Sequence, residues 1–85
     1  MGKHEKLMQK ILSGRQDTSI QFSEAISLLR ALGFSLRTKG SHHIFDREGV
    51  EELINLQPDG SKAKAYQVKQ IRDIILKYRL EAKDE

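Results

Sequence analysis

The sequence predicts an α+β domain in which two helices cover one face of a three-stranded antiparallel sheet, with an additional short helix ahead of them. Three observations carry this. Apolar residues recur at helical intervals over 25–32 and again over 68–78. Between Phe34 and Leu56 the period drops to two. The breaks between the extended runs are short glycine-bearing turns, which join antiparallel neighbours. At 85 residues the chain has room for one core, since a domain of this size buries little more than ~60% of its unfolded surface.

In chain order, HEKLMQKIL spaces Leu7, Met8, Ile11 and Leu12 along one side of a helix that Ser13-Gly14 ends. GRQDTSI has turn formers and no period, so residues 1–20 read as a helix and linker, 21–80 as the compact domain and 81–85 as a charged tail. Ser23 is the expected N-cap of the next helix, with Glu24 in its first turn and Ala25, Leu28, Leu29 and Leu32 on one face before Gly33. FSLRTK then sets Phe34 and Leu36 against a basic face of Arg37 and Lys39. Gly40-Ser41 turns the chain into HHIFD, and Arg47 to Gly49 turns it into VEELINLQ, where Val50, Ile54 and Leu56 share a face. Pro58-Asp59-Gly60 ends the sheet, and Val68, Ile71, Ile75 and Tyr78 mark a helix over Ala65 to Tyr78.

The pair His42-His43 is the most distinctive chemistry in the chain. Alternation sends the two rings to opposite faces, His42 with Ile44 and His43 with Phe45. If β-branched Ile44 is the core residue, His42 lies at the core margin and His43 projects from the uncovered face; if Phe45 takes the core, the assignment reverses. Rings on opposite faces cannot chelate one metal, His4 stands alone on another helix and there is no cysteine, so no metal site and no cofactor are expected. Ser41 and His43 share a face but lie nearly two rises of ~3.3 Å apart with no acid to orient the ring, which speaks against a Ser-His hydrolase. On spacing alone the histidines are surface residues flanking a turn, and Lys62, Lys64, Lys69, Arg72, Lys77 and Arg79 form a solvated face. Fifteen Lys and Arg against twelve Asp and Glu suit a polyanionic partner. No segment has the apolar run of a signal peptide or a membrane span, and a cytoplasmic location is expected.

The stretch GFSLRTKGSHHIFDREG, followed by INLQPDGSKAKAYQVKQIRDIIL, resembles the HicA toxin family of bacterial and archaeal toxin-antitoxin systems over about Ser23 to Leu80. Gly40-Ser41-His42-His43 between two strands is the most specific part of the likeness. The resemblance implies a fold like that of double-stranded-RNA-binding domains and a metal-independent, ribosome-independent endonuclease acting on mRNA, silenced by a HicB-type antitoxin. The family's catalytic position falls on His43, and His42 occupies a secondary position where asparagine also occurs. Residues 1–20 have no counterpart in many members.

The implied chemistry is removal of a proton from a ribose 2′-hydroxyl, or its donation to the leaving oxygen, by the imidazole. Arg37, Lys39 and Ser41 are candidates for holding phosphate, Gly40 for close backbone approach, and Lys69 for the surrounding basic surface. With two Tyr, three Phe and no Trp, recognition should rest on backbone shape and charge. Two other classes fit the residues. A non-catalytic RNA-binding module would be indifferent to loss of His43, and a protein-interaction domain would lack salt-dependent RNA binding.

Overall fold

The structure, a computed structural model, describes residues 3–82; residues 83–85 of the expected tail lie outside the described residues. Helix α1 (Lys3–Ser13) is followed by α2 (Phe22–Ala31), strands β1 (Ser35–Lys39), β2 (His42–Arg47) and β3 (Val50–Leu56), a small hairpin of β4 (Pro58–Asp59) and β5 (Lys62–Ala63), and α3 (Ala65–Tyr78). The sheet has the order β1-β2-β3, antiparallel throughout, and the helices bury one face of it. This is the α+β, double-stranded-RNA-binding-domain-like α-β-β-β-α arrangement with an added N-terminal helix.

Register decides which residues meet the core. Lys39 lies opposite His42, so Gly40-Ser41 is a two-residue turn; Gly40 has φ +60° and Ser41 has no positive φ, as in a type II′ hairpin. Counting back from that turn, Leu36 faces Phe45, and Phe45 in turn faces Ile54. Phe45, Ile54 and Leu56 are fully buried together with Leu28, Leu29, Val68 and Ile71. Ile44 instead lies between Arg37 and Asn55 on the outer face. The expectation that Ile44 takes the core is therefore overturned. A bulky aromatic fills the space between sheet and helices, and the tight turn leaves no freedom to choose otherwise.

The start of α2 also differs from expectation. Gln21, not Ser23, is the N-cap, and its N–H donates to Glu24 Oε1 at 3.0 Å, a capping-box bond that begins the helix at Phe22. The segment before it is not a free linker at its end. Ile20 is fully buried, its carbonyl accepts from Ala63 N at 2.9 Å, and Phe22 N donates to Ser61 O at 2.9 Å. The β4–β5 hairpin, which has no apolar alternation to announce it, thereby grips the entrance to α2.

Helix α1 packs on α2 and α3, with Ile11 fully buried and Leu7 nearly so. Arg72 Nη1 of α3 fastens the end of this helix, donating to Ile11 O at 3.2 Å and to Asp17 Oδ1 at 2.8 Å. At the other side of α3, three side chains finish the outer edge of β3. Gln67 Nε2 donates to Asn55 O (3.2 Å), Gln70 Nε2 donates to Leu53 O (3.4 Å), and Glu51 N donates to Tyr78 Oη (3.2 Å). The Tyr78 hydroxyl also donates to Glu52, whose second oxygen accepts from Lys77 Nζ at 3.1 Å.

Candidate active site

The type II′ turn places the two histidines at the start of β2, one on each face of the sheet. His43 shares the helix-covered face with Phe45, not the uncovered face on which the Ile44-core expectation put it. It is half-buried at the rim of that face, between Thr38 of β1 and Leu56 of β3, and its ring meets the Phe22 ring edge-on at 5.0 Å and 82°. Its Nδ1 lies 3.3 Å from the Ser41 carbonyl oxygen. A carbonyl only accepts, so Nδ1 carries the proton in the neutral ring and donates it there, leaving the Nε2 lone pair available. Among the described residues nothing is bonded to that Nε2.

His42 lies on the outer face, and both of its nitrogens are engaged. Nδ1 is 3.2 Å from Asn55 Oδ1, and Gln57 Nε2 stands 3.0 Å from Nε2 and 3.1 Å from Nδ1. One assignment satisfies this geometry: Nδ1–H donates to Asn55, and Nε2 accepts from the Gln57 amide. Lys64 Nζ holds the other end of that amide, donating to Gln57 Oε1 at 3.4 Å. The ring is oriented rather than poised to take a proton.

The other residues named from the sequence divide between locations. Gly40 and Ser41 form the exposed turn between Lys39 and His42. Arg37 and Lys39 are exposed on the outer face, on the side of His42 and across the sheet from His43. Lys69 sits on the solvent side of α3 in an exposed ion pair with Asp73 at 2.7 Å, so the hairpin does not bring it into the cluster. Three contributors went unrecognised in the sequence. Phe22 closes one wall of the His43 site; the β4–β5 hairpin, bonded to the Phe22 backbone through Ser61, places Lys62 opposite Gln21; and Asn55 with Gln57 holds His42. Phe22 and Lys62 had no periodic signal, because their placement depends on pairing between segments some forty residues apart.

Among the described residues there is no group of three or more His, Asp or Glu that could hold a metal ion, and no helix long and apolar enough to cross a membrane. The sequence model of the family described as "HicA toxin of bacterial toxin-antitoxin" matches residues 22–78. No curated protein and no solved structure matches the chain. The matched segment runs from the first residue of α2 to the last of α3 and contains the sheet, the histidine turn and the β4–β5 hairpin. The protein therefore belongs to the HicA toxin family of bacterial toxin-antitoxin systems.

Proposed function

We propose that this toxin is a metal-independent endoribonuclease that cleaves mRNA in the cytoplasm without the ribosome, with His43 as its catalytic base, and that a HicB-type antitoxin silences it. The observation that carries this reading is the contrast between the two rings. The Nδ1–H of His43 is committed to the Ser41 carbonyl and its Nε2 has no hydrogen-bond partner among the described residues, whereas both nitrogens of His42 are engaged. An open Nε2 on a ring braced by Phe22 can take the proton of a ribose 2′-hydroxyl. The 2′-oxygen then attacks the adjacent phosphorus, the P–O5′ bond breaks, the departing 5′-oxygen takes a proton from solvent water, and a 2′,3′-cyclic phosphate remains. Lys62, paired opposite the residue preceding Phe22, supplies positive charge for the phosphate on the His43 side, and Lys39, on the outer face at the mouth of the turn, supplies it to the adjoining part of the strand. Arg37 and His42 on the outer face would contact the strand beyond the scissile bond.

The test is incubation of the purified chain with single-stranded RNA in the presence of EDTA. Cleavage with cyclic-phosphate or 3′-phosphate ends, sparing DNA, is the expected outcome. Cleavage of DNA, or a strict requirement for magnesium, excludes the mechanism. Salt-dependent RNA binding with no cleavage would make the chain a non-catalytic RNA-binding module.

A further inference from the structure

The two outer edges of the sheet are finished differently. On β3 one outward backbone group of each of three residues is taken by α3: the Glu51 N–H by Tyr78, the Leu53 carbonyl by Gln70 and the Asn55 carbonyl by Gln67. On β1 there is no counterpart, and among the described residues nothing bonds to the side of Ser35–Lys39 that faces away from β2. The two-residue turn makes Lys39 and His42 a hydrogen-bonded pair, and alternation from there leaves Leu36 and Thr38 with their N–H and C=O groups pointing away from the sheet. A row of this kind is a template for another strand.

The side chains flanking the row select the occupant. Arg37 and Lys39 project from its outer face, exposed and without a carboxylate partner among the described residues, while half-buried Leu36 lies on its inner face beside the core. A second copy pairing β1 to β1 would bring these cations together, and like charges across a strand pair are destabilising. An incoming strand with Asp or Glu on one face and apolar residues on the other is complementary to both. We infer that the β1 edge is the docking site of the toxin's protein partner, which adds an acidic, amphipathic strand there. Resting on the reading of His43 as the catalytic base, this also explains silencing. Thr38 lies directly opposite His43, so an added strand sets a side chain on the His43 face about 10 Å away, two strand spacings, where it obstructs an approaching polynucleotide.

The experiment uses the full chain and the antitoxin encoded with it. Thr38→Pro removes one outward N–H at an edge position where proline is tolerated, and Thr38→Val keeps it. With both variants folded by circular dichroism, Thr38→Pro should weaken antitoxin binding about tenfold or more, and Thr38→Val should leave it nearly unchanged. In the wild-type complex the Leu36 and Thr38 amides should exchange with solvent at least about tenfold more slowly than in the free toxin, while the Arg37 and Lys39 amides are protected in both. Unchanged exchange at Leu36 and Thr38 overturns the inference, and it remains decisive if the proline variant fails to fold. Dimers of the toxin alone that Thr38→Pro dissolves would assign the edge to self-association and overturn it equally. RNA cleavage measured on the same wild-type sample separates the two readings: protected amides without cleavage retain the docking edge and remove the ribonuclease.

Discussion

Two neighbouring residues of the same type are held by different hydrogen-bond partners. His43 is anchored by its own turn through the Ser41 carbonyl, whereas His42 is held by Asn55 and Gln57 on a different strand and its extension. Replacing His43 with alanine should lower RNA cleavage by about 10²-fold or more, the usual worth of a positioned general base, with little change in the melting curve of a half-buried rim position. His42→Ala should retain cleavage within about tenfold, since it removes orientation and not the proton acceptor. The opposite ranking, measured on folded variants, would move the base to the outer face. Phe22→Leu tests the wall beside the ring. It keeps the apolar volume and loses the edge-on aromatic contact, and a fall in turnover with unchanged RNA affinity is expected.

At the scale of elements, α3 is fastened to β3 by polar clips whose chemistry depends on pH. Glu52 ionises below the usual carboxylate range, first because the Tyr78 hydroxyl donates to it and second because Lys77 does. A carboxyl with a lowered folded pKa releases its proton more readily in the native state. Its contribution to stability is therefore complete above the ordinary carboxylate range and fades as pH falls through that range and below it. Glu52→Gln should lower the melting temperature at about pH 7, and the difference from wild type should shrink as pH falls below the ordinary carboxylate range. A difference that stays constant with pH would mean that the clip works by shape alone. These clips were invisible in the sequence because they join residues on separate elements, whereas the elements themselves were legible from periodicity. The periodicity of Val68, Ile71, Ile75 and Tyr78 marks the third helix over the same span that the structure shows, Ala65 to Tyr78. The face of β2 was legible in principle. Leu36 on the core side and two residues in the turn require Phe45 to lie opposite, and the preference of β-branched side chains for buried strands pointed the other way. The start of α2 differs for a similar reason, since Gln21 with Glu24 forms the capping box although Ser23 is the residue type with the stronger N-cap preference.

For the whole molecule, the N-terminal helix outside the family match is part of the fold's stability. Leu7 and Ile11 join the common core, and each contributes about 1.5–3 kcal/mol by burial, offset in part by the entropy of ordering α1. Removing residues 1–13 should lower the melting temperature by about 10 °C, given several degrees per kcal/mol in a domain of this length, and leave His43-dependent cleavage measurable. Removing residues 1–20 also takes away fully buried Ile20 and its bond to Ala63, and should leave the chain largely unfolded. Equal melting temperatures for the two truncations would show that Ile20 contributes nothing. Arg72→Met separates the helix from its clip: losing the bonds to Ile11 O and Asp17 should cost about 1–3 kcal/mol without touching the histidine turn.

The coupling of Phe45 to His43, two residues apart on one face, has a genetic consequence. Any one-residue insertion or deletion in the Gly40-Ser41 turn that slips β2 by one position exchanges the two imidazoles, but it also drives Phe45 out of the core and Ile44 into it. Folding thus ties the face of each histidine to the core, and a stable chain with His42 facing inward is not an accessible product of a small indel. Among cells that survive expression of the toxin, clones with substitutions at His43 should accumulate full-length soluble protein to parental levels, whereas clones with turn indels should contain little because the misregistered chain is degraded. Abundant, protease-resistant protein from a turn indel would mean that the sheet tolerates both registers.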